Sequence, residues 1–248
     1  MIMANQSTLD KMYELRLSTA ARTYRELEEI PGIDDMSFDE KISTIIDAEW
    51  DARRVNKRTR LLRAAGFSDQ GANVADVRYD VDRKLNKALI TELSNGTWVK
   101  DKINVIITGA SGAAKTWLAC ALGVAACNCF YSVKYTRLPE MLDELAVEKD
   151  ENWTKAKKRY VKCDLLIIDD WLLEDVNIRE AREIFEIIEA RNKKGSLILC
   201  SQFAPAGWHA KLGDGAMADA VIDRIIYSSH NIHIEGAESM RKRMSRLQ

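Results

Sequence analysis

Histidine is scarce, cysteine forms no metal pattern, and no apolar run is long. Three histidines in 248 residues leave little material for a histidine-ligated zinc site. The five cysteines are Cys120, Cys127, Cys129, Cys163 and Cys200, and Cys127 and Cys129 stand too close for a C-x-x-C motif. Most lie in apolar stretches and read as small core residues of a reduced, cytoplasmic protein. No stretch approaches the roughly 18 apolar residues of a membrane span. The N-terminal segment lacks the apolar block of a secretory signal. There is no internal repeat and no low-complexity segment. The formal charge is only −1, which excludes a global basic field, so any nucleic-acid contact must come from a local cluster. What the chain does have is 46% apolar and 30% charged residues, the balance of a globular protein of one or two domains.

The chain is organised around residues 103–118. A β-branched run (Ile103, Val105, Ile106, Ile107) ends at Gly109. The loop Gly109-Ala110-Ser111-Gly112-Ala113-Ala114 follows, then Lys115-Thr116, then a helical apolar pattern from Trp117. Strand, small-residue loop and helix in this order make a phosphate-binding loop, whose backbone N–H groups and helix dipole face an anion. Lys115 would reach the β- and γ-phosphates of ATP, and the Thr116 hydroxyl would ligate Mg²⁺. The signature G-x-x-x-x-G-K-[ST] is met except at its second glycine, which here is Ala114. If that position takes a positive φ, alanine costs roughly 1–2 kcal/mol, which binding tolerates and which bears on turnover.

Upstream, the pattern predicts one helix over 7–29, stopped by Pro31-Gly32, and a second from Ser37 to about Ala65, stopped by Gly66. Ser37 and Glu40 have capping-box spacing. The end of the second helix carries Arg53, Arg54, Lys57, Arg58, Arg60 and Arg63 with no acid inside the run. Like charges so placed repel one another and want an external anion; the spacing points to sequence-independent contacts with DNA phosphate. A solvated helix face is the plainer alternative. Residues 67–98 read as a connector, with Asp76–Asp80 extended and Arg83–Leu93 helical.

Downstream, Tyr131–Thr136 reads as a strand, and Leu138–Lys149 and Glu151–Lys162 read as helices. Then comes Leu165-Leu166-Ile167-Ile168-Asp169-Asp170. Four consecutive aliphatics fit a strand buried on both faces of a parallel sheet, and two acids follow at its C-terminal end, where open α/β sheets bind ligands. Asp169 would hold Mg²⁺ through water, and Asp170 would orient or deprotonate the attacking water. Arg179–Lys193 is an amphipathic helix, Ser196–Gln202 a strand ending in polar Ser201-Gln202, Ala218–Ile226 a helix and Ile232–Ile234 a short last strand.

Taken together, these segments resemble the IstB-like proteins of the DnaC/IstB branch of AAA+ ATPases. Met36–Lys41 and Ala48–Arg53 are similar to that family's helical domain. Asp164–Asp170 is similar to its Walker B strand, and Ser201-Gln202 with Trp208-His209 to its sensor I region. Gly213-Asp214, Ala218–Ala220, Ile222-Asp223-Arg224 and Glu238–Lys242 look like its arginine-finger and C-terminal segments. The resemblance implies a small all-helical N-terminal domain (1–66), the connector (67–98), an α/β AAA+ P-loop core with a five-stranded parallel sheet (99–236) and a basic tail (237–248). It implies that residues 109–117 hold ATP, with Lys115, Asp170, Gln202 and Arg224 catalytic and Thr116 and Asp169 on Mg²⁺. Gln202 takes the sensor I place, and Arg224 is the finger reaching a neighbouring subunit's ATP. The implied activity is ATP hydrolysis by a homo-oligomer on double-stranded DNA that recruits or activates a transposase. A helicase loader on the same core, and a DNA clamp that binds ATP without efficient hydrolysis because of Ala114, are the alternatives.

Overall fold

The computed structural model describes residues 6–27, 29–147, 151–236, 239, 240 and 242. The chain divides into two compact units, residues 1–60 and 61–248.

In the first unit, the stretch expected as one helix is two, α1 (Gln6–Glu14) and α2 (Ser18–Leu27). Arg16 takes φ 58°, which reverses the chain between them. α3 (Phe38–Ala65) begins in this unit and runs past its end. The capping box is present: the Ser37 amide donates to Glu40 Oε2 at 2.7 Å, and the Glu40 amide donates to Ser37 Oγ at 3.2 Å. Ala20, Leu27 and Ile45 form a small core with Leu17, Tyr24 and Ile33 against it. The polar pivot is Glu49 of α3. Its Oε2 accepts from the Thr19 and Ala20 amides, both at 3.0 Å, at the start of α2. Its Oε1 accepts from Arg53 Nε at 2.7 Å, and Arg53 Nη2 donates to the Arg16 carbonyl at 2.8 Å. A carboxylate at a helix N-terminus meets unpaired N–H groups and the positive end of the dipole.

In the second unit, Val74–Asp76 and Val81–Arg83 are short 3₁₀ turns. The first lies where extended chain was expected to begin. The second ends in Lys84 at φ 49°, so the helix expected from Arg83 starts only at α4 (Lys87–Leu93). Then follow α5 (Thr97–Lys100), β1 (Asn104–Gly109), α6 (Lys115–Asn128), β2 (Val133–Arg137), α7 (Leu138–Val147), α8 (Glu151–Val161) and β3 (Leu165–Asp169). The chain continues through α9 (Ile178–Arg191), β4 (Ser196–Ser201), α10 (Trp208–Lys211), α11 (Gly215–Ile226) and β5 (Ser229–Ile234). The last strand is longer than the three residues expected. Much of the basic tail lies outside the described residues.

The five strands form one sheet in the order β2-β3-β4-β1-β5, with every neighbouring pair parallel. Side chains alternate between faces. Val105, Ile107, Leu165, Ile167, Ile198 and Cys200 meet α6 on one side. Ile106, Leu166, Ile168, Leu197 and Leu199 meet α7 through α11 on the other. β3 is buried along its whole length, as the aliphatic run requires. Phe67, Ala72, Val77, Ile90, Leu93 and Trp98 belong to the α6-side core, so the connector is part of the packed unit. On the other face Trp171 and Trp208 meet edge to face, with ring centroids 5.8 Å apart.

One corner is held by Arg191, only 1% exposed. Nη1 donates to the Tyr160 and Cys163 carbonyls at 2.7 and 3.0 Å, and Nη2 to the Ser196 carbonyl at 2.7 Å. It thereby satisfies carbonyls that the end of α8 leaves open. Among the described residues, no helix is long and apolar enough to cross a membrane.

The Glu49 junction is testable. Glu49→Ala is expected to cost about 1.5–3 kcal/mol by urea unfolding at neutral pH, the range for hydrogen bonds to a charged group. The hydrogen bond from Arg53, aided by the α2 amides, holds the Glu49 carboxyl below its ordinary range. Its contribution is therefore complete above about pH 4.3 and lost as pH falls through the depressed folded value, where wild type and variant should converge.

Candidate nucleotide-binding site

A parallel sheet brings every strand's C-terminal end to one edge, and the loop after β1 sits there. The loop needs glycine where it leaves the strand: a Cβ on Gly109 would stand 2.6 Å from the Ile234 carbonyl oxygen of β5. Ala114, immediately before α6, has φ 66° and ψ 33°, the left-handed conformation in which alanine is strained. Lys115 Nζ lies over the loop and donates to the Gly109 and Ala110 carbonyls at 2.8 and 2.9 Å. Burial holds the Lys115 ammonium below its ordinary range, an effect that Cys200, Asp169 and Asp170 oppose.

Thr116 and Asp169 meet directly. Thr116 Oγ1 donates to Asp169 Oδ2 at 2.6 Å. The Tyr135 hydroxyl donates to the same oxygen at 2.9 Å, and the Asp170 amide donates to Asp169 Oδ1 at 3.0 Å. Asp169 is only 4% exposed, and these donors keep its carboxylate oriented. The oxygens of Thr116 and Asp169 suit a small hard cation that retains water and phosphate ligands, the habit of Mg²⁺. Among the described residues, no group of three or more His, Cys, Asp or Glu could hold a metal by itself.

Asp170 also lies at this edge, at φ 52°. It has a partner that the sequence did not reveal. Arg137, the last residue of β2, donates to Asp170 Oδ2 through Nε at 2.8 Å and approaches it with Nη2 at 2.7 Å. Register explains the meeting, because Arg137 is the Cα partner of Asp169 on the neighbouring strand. A basic residue ending a strand was the available signal, but nothing in the chain says which strands are neighbours. Gln202 is exposed and follows Ser201, which pairs with Thr108 at the end of β1. Lys115, Thr116, Asp169, Asp170 and Gln202 thus share one edge. Trp117 borders a cavity of about 620 Å³ beside Ala114, Lys115 and Thr116, together with Asp76, Arg78 and Met240. Arg83 braces the loop from the connector, with Nη2 donating to the Ala113 carbonyl at 2.9 Å.

Arg224 is elsewhere. It lies on α11 just before Ile225, whose carbonyl accepts from Asn104 Nδ2 at the start of β1. β1 separates it from the loop by roughly 17 Å at strand rise. The six basic residues of α3 are all exposed. Arg53 is the one tied to Glu49, an acid four positions earlier and so outside the run. Arg54 lies over Trp50, with its guanidinium 5.7 Å from the ring centroid.

The family model for "IstB-like ATP binding protein" matches residues 10–248. The chain belongs to the family of IstB-like ATP-binding proteins. Membership makes it an ATP-binding protein related to insertion sequences. It is 35% identical over 240 residues to y4pL of Sinorhizobium fredii, named for an insertion sequence and for ATP binding, covering 96% of this chain and 97% of that one. It is 34% identical over 201 residues to an IS1162 protein of Pseudomonas fluorescens named in the same way, covering 81% and 87%. Among solved structures it is similar to the AMPPCP-bound DnaA of Aquifex aeolicus, with TM-score 0.56, 20% identity and coverage of 73% and 55%. It is also similar to the DnaC helicase loader, with TM-score 0.53, 19% identity and coverage of 66% and 97%. These likenesses show the fold, an α/β core with a five-stranded parallel sheet like that of the DnaA and DnaC structures.

Ala114→Gly should stabilise the protein. Relief of left-handed strain, roughly 1–2 kcal/mol, exceeds the roughly 0.4–1 kcal/mol of added unfolded-chain entropy. The expected net gain of about 0.5–1 kcal/mol is read as a higher urea midpoint at unchanged slope.

Proposed function

We propose that this chain is an ATP-dependent, DNA-binding regulator of transposition that hydrolyses ATP as an oligomer and recruits or activates a transposase. The observation that carries the reading is the Thr116–Asp169 contact, where a phosphate loop and a strand-end carboxylate converge in a member of this family. In this reading residues 109–117 cradle the phosphates, Lys115 neutralises their charge, and Thr116 and Asp169 hold Mg²⁺, whose charge offsets the phosphates when it is bound. The cavity bordered by Asp76, Arg78 and Trp117 takes the base and sugar. Asp170 orients the attacking water, and Gln202 stands by the γ-phosphate. Arg224 serves a neighbouring copy's ATP; its distance from its own loop favours that assignment, because within one chain it has nothing to do at the phosphates.

The basic residues of α3 meet double-stranded DNA through phosphates. Arg54, Lys57, Arg58, Arg60 and Arg63 are exposed for that purpose, and Arg53 contributes from its ion pair. The transposition setting is preferred to helicase loading because the matched sequences are named for insertion sequences, whereas the loader shares only the fold. Two observations favour a second reading, a clamp that binds ATP and turns it over slowly. Ala114 is strained, and Arg137 neutralises Asp170. A carboxylate oxygen already held by a guanidinium is less available to orient a water.

The test is phosphate release with and without double-stranded DNA. The regulator reading expects turnover that DNA stimulates and Lys115→Ala abolishes. The clamp reading expects ATP and DNA binding with little release until Ala114→Gly restores it. Loss of both binding and hydrolysis in the wild type overturns the site. In the same assay Arg137→Gln is expected to raise DNA-free turnover by freeing Asp170, and a fall would instead give Arg137 a productive part.

A further inference from the structure

Arg224 is not a loose surface arginine. Its Nε is in ion-pair contact with Glu189 Oε2 of α9. Its Nη1 donates to the Ala220 carbonyl, one turn back on α11, at 2.8 Å. Its guanidinium carbon lies 5.7 Å from the centroid of the Phe185 ring. The side chain is 27% exposed, and Glu189 is 48% exposed. Among the described residues no partner is assigned to Nη2, and Arg224 borders a cavity of about 600 Å³ with Asp101, Lys102, Asp223 and Tyr227. One nitrogen is thus hydrogen-bonded from the protein side, and a carboxylate stands beside a second that is buried without a hydrogen bond.

We infer that Glu189 is a positioning residue for Arg224, presenting its guanidinium to an anionic oxygen held by a second copy of this chain. The inference rests on the reading of Arg224 as acting in trans. The argument is one of preorganisation. A long arginine side chain must surrender rotamer freedom before it can meet a phosphate, and the contacts from Glu189, Ala220 and Phe185 impose that loss before the copies meet. A guanidinium suits the arrangement because its donors form a rigid planar fork: the hydrogen bond at Nη1 and the Glu189 carboxylate beside Nε together restrict the plane in which Nη2 lies. Packing of α9 on α11 gives no rival reason for Glu189, because Ile184, Ile187, Ile188, Val221 and Ile225 already close that interface with aliphatic groups. A half-exposed ion pair adds little to folding on its own.

The experiment uses mixed full-length subunits with double-stranded DNA and ATP varied up to saturation. Lys115→Ala chains keep Arg224 but lack the loop lysine, and Arg224→Ala chains have the reverse defect. Mixed, they are expected to recover hydrolysis that neither shows alone. Adding Glu189→Ala to the Lys115→Ala chain is expected to cut the recovered kcat by about 10- to 100-fold with KM unchanged, the scale of a misplaced catalytic group. Glu189→Gln, which keeps the shape and an acceptor oxygen, should give part of it back. Melting temperature and DNA binding of both variants should match the parent. A variant that recovers hydrolysis as fully as its parent, or one that loses rate only in proportion to lost folding or assembly, overturns the positioning role and leaves the trans reading standing. If the two single variants never complement, the trans reading fails and the role of Glu189 fails with it.

Discussion

The contact between Thr116 and Asp169 depends on the sheet being parallel throughout. The two residues belong to segments separated by β4, and they meet because β1, β4 and β3 all point the same way and end at one edge. Reversing any one of these strands would place its terminal group at the far edge, a strand length away. The aliphatic runs of β1, β3 and β4 enforce the arrangement by being apolar on both faces, which only a sheet covered by helices on both sides can bury. Burial of the strands thus fixes the polar edge, and the edge carries the chemistry.

That edge brings charges of opposite sign together. Asp169 receives hydrogen bonds from a threonine, a tyrosine and a backbone amide, all neutral donors that bring no opposing charge to it. Asp170, one residue on, meets a guanidinium and is neutralised by it. Adjacent carboxylates are given different roles by their neighbours, through the geometry of a single register: β2 beside β3 puts Tyr135 at one acid and Arg137 at the next. The positive φ of Asp170 turns its side chain toward that partner, a strained conformation that aspartate tolerates better than most residues.

Sequence reading succeeded where local chemistry and periodicity agree. The loop, the buried strand ahead of Asp169 and the Ser37–Glu40 cap each lie within a few residues of chain, and each is dictated by local rules. It failed where the decisive partner is far away or the break carries no signal. Leu15 and Leu17 continue the apolar rhythm across Arg16, and no glycine or proline marks the reversal there. The partner that makes the break possible, Glu49, lies 33 positions beyond Arg16. The packing of residues 67–98 was not legible because their apolar residues are spaced for scattered insertion into a core, not for one helix face. Tyr135, Arg137 and Arg83 were hidden for a similar reason: their importance comes from strand neighbours and loop docking. Ala114 was the reverse case. The residue was plainly visible, and its conformation decided what it meant.

Arg191 has a consequence for which changes this corner of the molecule can accept. Its charge is balanced by carbonyl dipoles from α8, the approach to β3 and the start of β4, and among the described residues no carboxylate forms an ion pair with it. Lysine would carry the same charge but only three donors in a tetrahedral fan, too few and too short to span acceptors on three elements. The corner is also full: a Cβ on Gly195 would sit 2.5 Å from Arg191 Nη2. Positions 191 and 195 therefore form a single steric and electrostatic unit. Change at either one alone leaves carbonyls without donors or atoms without room, so change at the foot of the sheet calls for paired replacements, whereas the turn between them, Asn192 to Lys194, is exposed and is constrained instead by the positive φ of Lys193.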